Sequence, residues 1–173
     1  MVEISQPTLA DAEALLQFEI DNRAYFEHWI RAREDSYYNL DSVRNAIVAA
    51  RSDIERDHAY QFLVKCEGVI VGRVNLVEIK RPYFNKATLG YRIGERFAGY
   101  GYASEAVRLV VEMARLNLGL SRIEAIVRPE NRASARVLER NGFVAFGIAK
   151  RSMRLHGTWY DLVHFERHLE AED

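Results

Sequence analysis

Apolar and polar residues alternate with period two in seven stretches of the chain, and recur at helical spacing in several others. Val2 to Gln6 reads as a short strand, broken by Pro7 and followed by Thr8, a residue suited to an N-cap. Leu9 to about Arg23 reads as a helix, with Ala12, Leu15, Leu16 and Glu19-Ile20 on one face. The aromatic run that follows, with Tyr25, Phe26 and Trp29, has the spacing of core packing. The segment to Tyr38 reads as a loop or broken helix, and Asp41 to about Asp57 as another helix. Gln61 to Glu67, a turn at Gly68, and Val69 to Ile79 make a hairpin, and Ala87 to Ile93 a third strand of the same antiparallel group. A long helix runs from about Ala103 to Leu118. Ala103, Val107, Val110, Val111, Ala114 and Leu118 form its apolar stripe, and Gly119 stands at C′. Arg122 to Val127 is a strand, and the strand–helix–strand order implies a parallel pair with a right-handed crossover. A short helix begins near Asn131 and ends at Asn141-Gly142. Val144 to Leu155 and Thr158 to His168 close the chain as a hairpin turned at His156-Gly157. The order β-α-α-β-β-β-α-β-α-β-β predicts an α/β (α+β mixed) fold: one domain over residues 1–173, with a mostly antiparallel sheet of seven strands and helices on both faces.

The turn between the third strand and the long helix, R-F-A-G-Y-G-Y-A-S from Arg96 to Ser104, carries the most specific chemistry. Gly99 and Gly101 let the backbone take left-handed angles and let a ligand approach closely. The first N–H groups of the helix lack intrahelical partners and face outward at the positive end of its dipole. That arrangement suits a pyrophosphate. A P-loop is excluded, because Tyr100 stands where its Lys must be. A dinucleotide fingerprint fails at Ser104, and Glu124 lies near the start of a strand rather than the end. The pattern R-x-x-G-x-G/A is met by Arg96, Gly99 and Gly101. An ordinary Gly-rich turn would show G-x-G alone.

Composition narrows the classes. The 173 residues carry a net charge of −1, with 49% hydrophobic and 28% charged residues, as in ordinary globular proteins. No basic face points to nucleic acid, and no stretch is apolar enough for a membrane helix. One cysteine, Cys66, excludes an internal disulfide and fits a reducing cytoplasm, so a cytoplasmic protein, monomeric or homodimeric, is expected. In a strand, Cys66 is expected to be buried and inert. His164, Glu166 and His168 share a strand face, but H-E-x-x-H is not met, so no metal is expected.

The R-x-x-G-x-G/A loop resembles the coenzyme A pyrophosphate loop of the GNAT superfamily of N-acetyltransferases. A second motif supports it: N-R-A-S-A-R-V-L-E-R-N-G-F from Asn131 is similar to the superfamily's N-x-x-(A/S) helix with its closing G-F. The stretches D-N-R-A-Y-F-E-H-W, L-G-Y-R-I-G-E-R-F-A-G-Y-G-Y-A-S-E-A-V and G-T-W-Y-D extend the likeness over nearly the whole chain, to the RimJ/RimL group that acetylates the N-terminal residue of ribosomal proteins. The resemblance implies transfer of an acetyl group from acetyl-CoA to an amine in a ternary complex, with the pantetheine arm lying in a splayed gap between the parallel strands. It assigns CoA binding to Tyr91, Ile93, Arg96, Phe97, Ala98, Gly99, Tyr100, Gly101, Tyr102, Ala103, Ser104, Asn131, Ser134 and Arg136. Asn131 also fits an N-cap, Ser134 an ordinary first-turn serine, and Arg132, Arg136 and Arg140 ordinary helix-surface arginines. It further implies an oxyanion contact from a backbone N–H where the strand bulges near Tyr91-Arg92-Ile93, that of Ile93, and proton donation to the departing thiolate by Ser134. Leu138 occupies the slot of the acid Tyr of other members, and Met153 that of the group's Glu base. Glu27 and Glu78 are candidate acceptor-site carboxylates, or solvated surface charges. Two further readings are a small-amine acetyltransferase (polyamine or antibiotic) and a non-catalytic CoA sensor.

Overall fold

The computed structural model of the protein describes residues 1–169. The alternating runs become seven strands: β1 (Val2–Ser5), β2 (Tyr60–Cys66), β3 (Val69–Lys80), β4 (Lys86–Ile93), β5 (Arg122–Val127), β6 (Val144–Leu155) and β7 (Thr158–His168). They form one sheet in the order β1-β2-β3-β4-β5-β7-β6. Every neighbouring pair is antiparallel except β4 with β5. Five α-helices cover the two faces: α1 (Ala12–Asp21), α2 (Arg23–Glu27), α3 (Leu40–Glu55), α4 (Tyr102–Leu116) and α5 (Arg132–Arg140). None is long and apolar enough to cross a membrane.

Strand parity sorts the core into two layers. Phe62, Val74, Leu76, Ala87, Leu89 and Ile123 point toward α4 and α5 and meet Val107, Val110, Val111 and Leu138. Leu63 and Ile70 point the other way and meet Leu15, Phe18, Phe26, Val43 and Ile47 from the first three helices. The apolar stripe of α4 is what roots the phosphate-loop end of that helix to the sheet. Ala106, Val107, Val110 and Ala114 are fully buried, and each buried valine is worth about 1.5–3 kcal/mol.

Two predicted elements differ. The first helix is not continuous from Leu9 to Arg23. A single 3-10 turn, Leu9–Asp11, precedes α1, and Thr8 serves that turn, its N–H and hydroxyl donating to Asp11 at 2.8 and 2.9 Å. The helix then breaks at Asn22, and the aromatic segment forms α2. Asn22 causes the break: its amide donates to Phe18 O at 2.9 Å, and its Oδ1 accepts from Glu95 N, also at 2.9 Å. At the other end of the sheet, α4 stops at Leu116, so Gly119 lies in the following turn, at φ +59°. Cys66 is half-buried rather than buried, because it ends β2 beside the exposed hairpin turn.

The feature that matters for function lies in the middle of the sheet. β4 and β5 pair only from Lys86↔Arg122 to Leu89↔Ala125. Beyond that point Tyr91, Arg92 and Ile93 stay with β3, opposite Val74, Arg73 and Gly72, whereas Ile126 and Val127 stay with β7, opposite His164 and Val163. The two strands therefore part, as the resemblance implied. The expected bulge at Tyr91-Arg92-Ile93 is not there: β4 pairs regularly with β3 over that stretch, and the irregularity lies between Val77 and Lys80, where Glu78 has φ +52°. The approach of the two strands here requires a glycine, since a Cβ on Gly72 would come within 2.5 Å of Arg92 O.

Candidate active site

The parted strands open into a cleft of about 690 Å³. One wall is the β4–α4 loop. Gly99 and Gly101 take φ +84° and +82°, angles that L side chains rarely adopt. The first intrahelical bond of α4 runs from Glu105 N to Gly101 O at 3.1 Å. The N–H groups of Tyr102, Ala103 and Ser104 thus precede it and stay free for an anion. Ala98, Gly99, Gly101, Tyr102, Ala103 and Ser104 all line the cleft. Asn141, which the sequence marked only as a helix end, fixes this wall. Its buried amide donates to Ser104 O at 3.1 Å, Ser104 Oγ at 3.2 Å and Val137 O at 2.9 Å.

The floor comes from β4. Gly94 N donates to Val71 O at 2.9 Å. The alternation of an antiparallel ladder then turns the backbone groups of Tyr91 and Ile93 away from β3, into the gap. So the N–H of Ile93 can face an incoming carbonyl without any bulge.

The second wall is α5. Asn131 caps it, accepting from Ser134 N at 3.2 Å. Ser134 Oγ lies 2.7 Å from Tyr91 Oη, a pair that joins α5 to β4 across the gap. Burial pushes the Tyr91 phenol up to about 12, against a smaller downward pull from Ser134. Tyr91 therefore keeps its proton at neutral pH and can feed the serine hydroxyl. Arg136 and Arg140 line this wall; Arg132 does not.

Of the residues singled out in the sequence, Tyr91, Ile93, Phe97, Asn131, Ser134 and Arg136 meet at the cleft with the loop, whereas Arg96 and Tyr100 do not line it. Arg96 lies over the Phe97 ring at 4.6 Å and lines a separate groove with Asp21, Asn22 and Glu95. Tyr100 is 71% exposed and stacks on Tyr102. Met153 lines the cleft, and Leu138 closes its base. Glu27 and Glu78 are absent from its lining: Glu27 is held by Arg23 at 2.9 Å, and Glu78 accepts from Thr88 at 3.0 Å. Among the described residues no cluster of three or more His, Cys, Asp or Glu side chains could hold a metal ion.

On the far side of the sheet the cleft is walled by Tyr25, Phe26, Trp29 and Ile30. Behind Phe26 sits a buried ion cluster that no sequence motif announced. Glu19, 1% exposed, binds Arg73 at 2.7 Å, with Arg33 and Arg92 each at 3.7 Å. Burial alone would raise the Glu19 carboxyl, but Arg92, Arg73 and Arg33 together hold it below the usual carboxylate range.

A strand-turn-helix anion cradle beside a parted parallel pair suits a ligand with a phosphate group and an extended arm that can pair with the open strand. The family comparison agrees: the model described as an acetyltransferase (GNAT) domain matches residues 2–144, and the chain belongs to that family. It is an acetyl-CoA-dependent N-acetyltransferase. It is 37% identical over 155 residues to the probable N-acetyltransferase YjcK of Bacillus subtilis, covering 88% of this chain and 86% of that one. It is 27% identical over 155 residues to the ribosomal protein uS5 alanine N-acetyltransferase of Escherichia coli, covering 88% and 80%. Among solved structures, RimJ of Mycobacterium smegmatis in complex with CoA-disulfide superposes with a TM-score of 0.90 at 24% identity, covering 96% of this chain and 81% of that one, which shows the shared fold.

If Ser134 donates to the departing thiolate, Ser134→Ala should lower kcat by about a hundredfold or less while CoA affinity stays within about twofold. The low end is expected because a thiol of pKa near ~8.5 leaves readily. Tyr91→Phe should lower kcat less, and the double variant should match Ser134→Ala alone. Steady-state rates beside a CoA titration decide this; an unchanged kcat makes Ser134 structural.

Proposed function

We propose that the protein acetylates the N-terminal α-amine of a protein, a ribosomal protein being the model suggested by the uS5 relative. One observation carries the reading: among the described residues no Asp, Glu or His lines the cleft, so no carboxylate or imidazole there is placed to take a proton from a strongly basic amine. An α-amine of pKa ~7.8 is roughly a tenth neutral at pH 7, whereas a lysine-type amine of pKa ~10.4 is neutral about one part in two thousand of the time. The first arrives nearly ready; the second needs a base. Cysteine and arginine are poor substitutes for that base, the one absent from the cleft lining and the other always protonated.

In this scheme Gly99, Gly101 and the first N–H groups of α4 hold the pyrophosphate, and Asn131 and the backbone of Tyr91 hold the arm. The neutral amine attacks the thioester carbonyl. Ile93 N–H receives the oxyanion. The C–S bond breaks as Ser134 delivers a proton to sulfur and takes one from Tyr91 Oη, 2.7 Å away, while the ammonium loses a proton to water and water returns one to the phenol.

The test is acetyl-CoA-dependent thiol release with short peptides bearing free N-terminal Ala or Ser, the same peptides blocked, and a panel of polyamines and aminoglycosides. Release with the free peptides only is the expected result. Release with the small amines only would assign the activity to them instead.

A further inference from the structure

We infer that the acceptor carries an anionic group, a carboxylate or phosphate, close to its reacting amine, and that Arg92 and Arg128 recognise it. This rests on acetyl transfer to an amine and refines the peptide reading.

The placement follows from strand parity. Leu89 and Ala125 are the last paired residues of the parallel strands. Three positions further along stand Arg92, on β4, and Arg128, the first residue past the end of β5, one on either side of the gap. Parity puts Arg92 on the face opposite the α4–α5 core, contacts with Trp29 and His28 put Arg128 there too, and both line the cleft. The CoA cradle lies on the α4 side, so the two arginines front the half of the cleft left to the acceptor.

Both guanidinium groups have bonding capacity left over. Arg128 is 9% exposed at its side chain, wedged between the Tyr160 ring at 3.7 Å and the Trp29 ring at 5.0 Å. Its Nε is buried with no hydrogen-bond partner, and Glu130, the one carboxylate within ion-pair range among the described residues, is 3.6 Å away and 55% exposed. Its other contact is a long bond of 3.4 Å to His28 O. A buried guanidinium so poorly satisfied is costly unless something else completes it. Arg92 donates no hydrogen bond among the described residues. Its carboxylate neighbour Glu19, at 3.7 Å, is shared with Arg73 and Arg33. Three guanidinium groups against one carboxylate leave an excess of positive charge behind Phe26, whose ring Arg92 overlies at 5.2 Å. With no acidic residue in the cleft lining among the described residues, that charge repels a polycation and attracts an anion. The planar fork of Arg suits carboxylate and phosphate oxygens.

The test compares peptides identical except at the second and third residues: Ala-Asp-Glu, Ala-pSer-Gln, Ala-Asn-Gln and Ala-Lys-Lys, with free and blocked N-termini, alongside free aspartate, phosphoethanolamine and spermidine. The wild type should favour the acidic acceptors over the neutral ones by about tenfold or more in kcat/KM, a value typical of one charged contact. The carboxylate and phosphoserine arms separate the two anions. Arg128→Gln should erase the preference without changing CoA affinity, and Arg128→Glu should reverse it toward the lysine peptide. Arg92→Lys, which keeps the charge beside Glu19, should retain part of it. Equal rates across the series, or a preference unmoved by Arg128→Gln, overturns the inference. Turnover of acidic small amines with none of the peptides would overturn the peptide reading and leave this one standing.

Discussion

Gly101→Asp is expected to abolish CoA binding, lowering affinity by two to three orders of magnitude. Two effects act at this residue. Gly101 sits at φ +82°, and a side chain forced into the left-handed region costs about 1–2 kcal/mol. Asp tolerates that region better than most residues, so strain is the smaller effect. The larger is electrostatic. The substitution puts a carboxylate where the free N–H groups of α4 would meet a pyrophosphate, and two like charges about 4 Å apart repel by roughly 4 kcal/mol at a surface-like dielectric. Space is not the problem, since a Cβ there meets nothing within 4 Å. Gly101→Ala therefore separates the two: it carries the strain without the charge and should weaken binding by about tenfold. Isothermal titration with CoA decides, and unchanged affinity in the Asp variant would place the pyrophosphate elsewhere.

Glu19→Gln should be the most destabilising single change in the acceptor half. The carboxylate is 1% exposed and faces three arginines. Gln keeps the shape and can still accept from Arg73, but it leaves the guanidinium charges uncompensated in a low-dielectric site. Breaking one partner of such a cluster costs about 3–5 kcal/mol, or roughly 10 °C in melting temperature for a chain of this size. The pH dependence has a definite sign. A carboxyl held below its ordinary value contributes stability at every pH above the unfolded value of about 4.3, and loses it as pH falls through the lower folded value. Glu19→Gln should thus flatten the acid limb of the wild-type stability profile. A variant as steep as wild type below pH 4.5 would show that other carboxylates dominate acid unfolding.

The sequence and the structure agree over most of what is local. Strand alternation, the stripe on α4 and the glycines of the loop each lie within one stretch of chain, so periodicity and turn chemistry were enough. What escaped is what distant residues do to one another. Asn22 breaks the first helix because its side chain reaches Glu95 N, 73 positions along. Asn141 steadies the start of α4 from 37 positions away, and Tyr91 meets Ser134 across 43. The Glu19 cluster joins α1, β3 and β4, and no spacing rule could gather its members. Arg96 and Tyr100 show the converse limit of a local motif. They belong to the stretch by sequence, yet Arg96 sits in the 3-10 turn Glu95–Phe97 with its guanidinium over the Phe97 ring, Tyr100 stands exposed between the two left-handed glycines, and neither side chain lines the cleft.

The parted strands have one more consequence. A strand with unsatisfied N–H and C=O groups is normally an edge, and edges invite other chains to add on and aggregate. Here the edge is interior: beyond Leu89 the backbone of β4 loses its β5 partner in the middle of a seven-stranded sheet. Another polypeptide cannot reach it as it would an outer strand, but a slender molecule carrying amides can slide in and complete the ladder. Ligand and fold are then thermodynamically linked, and saturating CoA should raise the unfolding temperature as a missing strand would.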